Sequence, residues 1–193
     1  MVTTFENLGV SLPSCLYNVP VIPARVVPHR RLDVPFAGDE KTMLSAFLDR
    51  YRETMLWKLD GLTKEQASAR LVPSATTLLG IVKHLAYVER GWFPIYFAGE
   101  PVSYPWPEDE PDQDIDFRVE PTDTIESVRA LYQQEIARSR EIVAGASLDD
   151  PSKEQDRGPR SLRWIMVHMI EETARHAGHA DILRELTDGA IGQ

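Results

Sequence analysis

Metal-capable side chains gather in one short stretch, "WIMVHMIEETARHAGHADILREL" (residues 164–186), which otherwise reads as a helix. It carries His168, His176 and His179 together with Glu171 and Glu172. Imidazole nitrogen and carboxylate oxygen are donors that hold first-row divalent metals at about 2.0–2.2 Å. At about 100° per residue, all three histidines fall within roughly 40° of Glu172 on the helical wheel. Ile165 and Leu183 share that sector and Met169 borders it, so the polar cluster lies inside the stripe that should be buried. A buried Glu without a partner is costly; it must be protonated, paired or ligated.

Spacing narrows the candidates. Glu172 and His176 are four residues apart, so their side chains lie one turn apart on one face and can reach a single ion. A third donor comes from an earlier helical stretch, "SATTLLGIVKHLAYVERGWFPIYFAG" (74–99), where His84 points inward with Thr77, Ile81, Val88 and Ile95. Glu89, about 140° from His84, is expected to face away. A lone inward His is ordinarily a hydrogen-bonded core residue, but this one would face an acidic and imidazole cluster. A cation held by His84, Glu172 and His176 would keep coordination positions for water or substrate, the layout of a catalytic site. Spacing alone leaves His168 with Glu172, His176 with His179, and a bundle without metal as alternatives.

The elements that must position these groups follow from periodicity and caps. "DEKTMLSAFLDRYRETMLWKLDGL" places Leu44, Phe47, Leu48, Tyr51, Met55 and Leu59 at helical spacing and ends at Gly61, giving a helix near 40–60. Further helices are expected near 75–96, with Pro94 kinking the last turn, and near 123–144 and 161–186. Four amphipathic helices joined by two long crossing loops predict an all-α four-helix bundle over residues 38–193. Residues 1–37 hold five prolines, which predict an extended arm packed over the domain or a neighbouring chain. His29, beside Arg30 and Arg31 in this arm, reads as a surface residue.

Composition excludes several function classes. The 193 residues carry a formal net charge of −9 with scattered Lys and Arg, so no basic stripe suits a phosphate backbone and nucleic-acid binding is not expected. "EDEPDQDID" (108–116) reads as a solvated acidic loop. No apolar run approaches the ~18 residues of a membrane span. The amino end lacks a basic start followed by an apolar run, so no signal peptide is expected. Cys15 is the sole cysteine, which rules out an intramolecular disulfide and a Cys-based zinc site and suits a cytoplasmic protein.

"KHLAYVE" in the second helix, with "EETARHAGHADILRE" and "DG" in and after the fourth, resembles the DinB/YfiT-like metalloenzyme superfamily. Within it, the chain is similar to the mycothiol-dependent maleylpyruvate isomerase type. The resemblance covers about residues 40–190 and is most specific in the fourth helix. It implies a four-helix bundle, often a homodimer, holding a divalent metal through His84, Glu172 and His176. Glu at position 172, where many relatives carry His, is similar to the mycothiol-dependent branch; the arm before residue 38 departs from the family pattern. The implied chemistry is S-transfer or isomerisation, in which a low-molecular-weight thiol of the mycothiol type acts as cosubstrate on a small electrophile. A bound divalent cation would lower the thiol's pKa, making a protein Cys nucleophile unnecessary. Zn²⁺ is the first expectation for a nitrogen and oxygen site, and Ni²⁺, Fe²⁺ or Mn²⁺ also suit it. His179 and His168 are then candidates to orient a ligand or carry a proton. Two alternatives remain at this point: a hydrolase using metal-activated water, and a non-catalytic metal-binding or stress-related bundle.

Overall fold

The computed structural model describes residues 25–26, 32–154 and 158–191. The expected arm lies outside the described residues over 1–24 and 27–31, and Cys15 and His29 with it. Strand β1 (Arg25–Val26) is followed by helices α1 (Glu40–Trp57), α2 (Lys64–Ala67) and α3 (Leu78–Arg90), which continues as a π-helical segment, Gly91–Phe97. A 3-10 turn (Ile115–Phe117), α4 (Ile125–Ala144), α5 (Leu162–Asp188) and strand β2 (Ala190–Ile191) complete the order.

Local chemistry sets the helix starts. Asp39 accepts from the Thr42 amide, Thr77 from Gly80, Thr124 from Ser127 and Ser161 from Trp164, so each long helix begins at a side-chain cap. At the far end of α5, Gly189 takes a left-handed φ of 74° that an L side chain rarely adopts. Pro94 does more than kink a final turn: it sits inside the wider π-helical segment. The short α2, closed by a capping box between Thr63 and Gln66, lies in the connection between α1 and α3. A parallel pairing of Arg25 with Ala190 and Val26 with Ile191 ties the arm to the residues after α5.

The four long helices form the bundle: α1 packs on α5, α3 on α4, and α3 also meets α5. One apolar core gathers Met55, Leu59, Leu79, Leu85, Tyr132 and Leu183. A second, nearer the start of α5, gathers Leu48, Phe93, Leu162, Ile165 and Met169. No helix among the described residues is long and apolar enough to cross a membrane.

Glu89 corrects the wheel reading. It points away from His84, yet it is fully buried rather than solvated, because α3 is the central helix and packs against neighbours on several sides. Its carboxylate accepts two hydrogen bonds from the buried Arg52, Nε to Oε1 at 2.8 Å and Nη2 to Oε2 at 2.7 Å. Arg52 spends a third donor on Asp49 at 2.9 Å. This pair clamps α1 to α3 on the side opposite the histidines. Glu89→Gln should therefore destabilise the fold by about 3 kcal/mol or more, since it leaves the buried guanidinium without its main counter-charge. Urea unfolding measures it, and the double change Arg52→Met with Glu89→Leu should recover most of the loss.

Candidate metal centre

His84, Glu172 and His176 meet at the α3–α5 interface. Each side chain offers one ligand atom, and these atoms all lie within 4.8 Å of one another. Glu172 Oε1 is 3.1 Å from His176 Nε2 and 3.4 Å from His84 Nε2. Donors about 2.1 Å from a tetrahedral ion stand ~3.4 Å apart, so the two contacts of Glu172 match edges of one coordination shell. The three side chains are 11–17% exposed, which leaves a narrow approach from solvent. Within α5, the buried Thr173 hydroxyl bonds back to the Met169 carbonyl at 2.7 Å and stays out of the cluster.

A loop completes the site. Asp116 Oδ2 accepts from His84 Nδ1 at 2.7 Å, which places a proton on Nδ1 and points Nε2 at the cluster. Phe117 stacks on the same ring, with centroids 3.9 Å apart and planes 14° apart. Gly80, one turn before His84, permits this approach: a Cβ there would sit 2.5 Å from the Phe117 carbonyl oxygen. Asp116 corrects the expectation of a wholly solvated 108–116 loop, because Ile115 and Phe117 anchor its end against α3. His176 has no such support; its Nδ1 is buried without a hydrogen-bond partner among the described residues.

The electrostatics show what the cluster lacks. Hydrogen bonds from His176 and then His84 hold the Glu172 carboxyl well below the usual carboxylate range, against the opposing effect of burial. For His84, burial pushes the imidazole pKa down, but the hydrogen bonds and charges of Asp116 and Glu172 outweigh it and the net shift is upward. Two Nε2 atoms and a carboxylate oxygen converge on one point, so protons or a cation must occupy the space between their lone pairs. The donor set suits a divalent ion.

His168 and His179 lie outside this cluster. His168 stacks on Trp164, with centroids 5.3 Å apart, and meets Trp92 edge-on at 4.6 Å, one turn before Glu172. His179 is exposed and stands edge-on to His176 at 5.5 Å. Among the described residues, neither hydrogen-bonds any of the three donors. Other charged residues of the motif form ion pairs: Arg175 with Glu171, and Arg184 with Asp188 at 2.8 Å. Two signals pointed toward the missed groups. One was a Gly one turn before a candidate ligand; the other was two apolar residues alternating with acids in "DIDFR".

Four long helices with a His/Glu/His cluster between the second and the last define a DinB/YfiT-like bundle. The chain belongs to the mycothiol-S-transferase family, whose model matches residues 43–189. No curated protein matches it by sequence. A solved crystal structure, that of a conserved protein of locus from Enterococcus faecalis, has a similar fold. It aligns with a TM-score of 0.57 at 16% identity, covering 79% of this chain and 99% of the other.

The loop's grip on His84 can be checked by nuclear magnetic resonance titration of the metal-free protein. Asp116→Asn should lower the His84 pKa, because a neutral amide no longer favours imidazolium. The sign for stability follows from the raised value. The His84–Asp116 contribution is fully present below the ordinary His pKa of 6.5 and is lost as pH rises through the folded value. Stability of the parent should thus gain less than that of Asp116→Asn as pH rises through that window.

Proposed function

We propose that the protein is a divalent-metal-dependent S-transferase that joins a low-molecular-weight thiol of the mycothiol type to a small electrophile. The observation that carries this is the convergence of His84, Glu172 and His176 within 4.8 Å in a chain of the mycothiol-S-transferase family. In this reading His84 and His176 bind through Nε2 and Glu172 through Oε1. Three protein donors leave room for an exogenous ligand, as catalytic sites do and closed structural sites do not. A divalent cation there, with Zn²⁺ the first choice, would bring a coordinated thiol to its thiolate at neutral pH.

The chain's own residues supply orientation and exclusion of water. Asp116 fixes the His84 tautomer through Nδ1, and Phe117 covers the face of that ring. Glu172, already ionised in the cluster, offsets one positive charge of the ion. Sulfur bonds to the electrophilic carbon, the leaving group departs with its bonding pair, and the thiol's proton passes to water; an addition protonates the neighbouring atom instead. No protein cysteine is required for this chemistry. His168 and His179 are assigned no ligand role, and the exposed His179 beside His176 is the better placed of the two to pass a proton to solvent.

The ligand assignment is tested by metal per chain. His176→Ala should weaken metal binding well beyond the ~10–100-fold typical of a residue that only supports a ligand, whereas His168→Ala should retain the metal. A His168→Ala protein without metal, beside a loaded His176→Ala protein, would reverse the assignment. The reaction class is tested by omitting the thiol: turnover of electrophile should vanish without thiol and after chelation. Equal turnover without thiol would favour metal-activated water and hydrolysis.

Metal uptake should also weaken as pH falls. The raised His84 pKa means that protons compete with the ion from above pH 6.5 downward, and each imidazole must be neutral to bind. Metal titrations at several pH values should show proton release on binding that grows toward the acidic side.

A further inference from the structure

A cavity of about 330 Å³ lies beside the cluster, walled chiefly by Tyr87, Trp92, Tyr96, Tyr104, Trp106 and Asp116. Two residues, Asp116 and Trp92, tie it to the neighbourhood of the candidate metal centre. Asp116 is shared, since the same carboxylate holds His84. Across the α3–α5 interface, Trp92 meets His168 one turn from Glu172. The volume is at the small end of ligand pockets, roughly 300–1,000 Å³, and suits one substituted ring.

The walls are fixed by one another. Tyr104 and Trp106 stack with centroids 4.9 Å apart and planes 9° apart, and Trp106 stands edge-on to Tyr87 at 4.6 Å. Gly91 opens the π-helical segment at the point where the Tyr104 hydroxyl rests, and a Cβ there would collide with that oxygen. The wider turn of this segment delivers Trp92 and Tyr96 to the cavity, a common use of π-helical geometry near functional sites.

Charge narrows the ligand further. Asp116 is the sole charged residue among those lining the cavity. Arg90 is nearby but donates to Glu135 and to the Ser103 carbonyl. Arg160 does not line the cavity, but it lies over Trp164, Tyr96 and, at 6.0 Å, Trp92, and it donates to the Tyr96 hydroxyl and the Gly158 carbonyl. Burial raises the Tyr87 phenol above its ordinary pKa, so that wall is neutral. A carboxylate entering this space would lose water, find no lining cation and face Asp116. Ring faces and edges, by contrast, suit an aromatic guest.

We infer that this cavity seats the electrophile, and that it takes a neutral planar aromatic molecule while rejecting one that carries a carboxylate. The word electrophile rests on the S-transfer reading above; the choice of ligand rests on the cavity alone. For a ring bearing a leaving group, the thiolate sulfur bonds to the substituted carbon, the leaving group departs with its bonding pair, and the thiol's proton passes to water.

The test uses the metal-loaded full chain and two unreactive probes of matched shape, 3,5-dinitrobenzamide and 3,5-dinitrobenzoate, read by tryptophan fluorescence quenching. The neutral probe should bind at least about tenfold more tightly than the carboxylate. Tyr104→Ala keeps all four tryptophans and should weaken the neutral probe severalfold, with metal per chain and helicity unchanged. Equal affinity for the two probes, or tighter binding of the carboxylate, would overturn the inference on the parent protein alone. An unchanged affinity in Tyr104→Ala would also overturn it, because the probe would then sit elsewhere. Thiol-dependent turnover of 1-chloro-2,4-dinitrobenzene, measured separately, keeps the two readings apart. Turnover without probe selectivity sinks the cavity inference and leaves S-transfer standing; selectivity without thiol-dependent turnover of any electrophile does the reverse.

Discussion

Three lone-pair donors aimed at one point between α3 and α5 impose the strictest condition on this molecule. Glu172 is ionised at a largely buried position, and two imidazole nitrogens within 3.4 Å are its partners there. Such an arrangement is stable only when a proton or a cation lies between the donors. It also fixes register, because a shift of one residue along α5 would turn Glu172 and His176 by about 100° off the shared face. The pairing of α3 with α5 therefore answers to polar geometry as much as to apolar packing.

The rest of the bundle can be understood as support for that register. Arg52 and Glu89 join α1 to α3 on the side away from the histidines, with both charges buried. Apolar cores lie along the interfaces on either side, one around Leu79 and Leu85 and the other around Phe93 and Met169. A buried ion pair adds little net stability compared with apolar packing, but breaking it is severe. Its position makes α3 a helix with two polar commitments facing opposite ways.

The loop from 98 to 124 gives the site its asymmetry. His84 has its remaining nitrogen held by Asp116 and its face covered by Phe117, both admitted by the missing side chain of Gly80. His176 receives no matching hydrogen bond from the described residues. The orientation of His84 thus depends on a loop, and that of His176 on its own helix. The same loop carries Tyr104 and Trp106 to the aromatic cavity, so the orientation of His84 and the neighbouring pocket share a single segment of chain.

The amino-acid sequence by itself determined the helices and the donors. Periodic apolar residues and caps at Asp39, Thr77, Thr124 and Ser161 are local signals, readable without knowing what each helix touches. The four-residue spacing of Glu172 and His176 is equally local, since helical geometry alone places them on one face. Which other histidine joins them is not local: His168 and His179 share the sector on the wheel, and only the packing of α3 across α5 brings His84 to within 3.4 Å of Glu172. Glu89 shows the same limit, because a wheel reports direction relative to one stripe, whereas α3 is buried on several sides. Asp116 depends on tertiary structure most of all. An acid in an acidic, proline-rich loop has the composition of solvated chain, and its approach to His84 exists only because the backbone can close on Gly80, a residue 36 positions earlier in the chain.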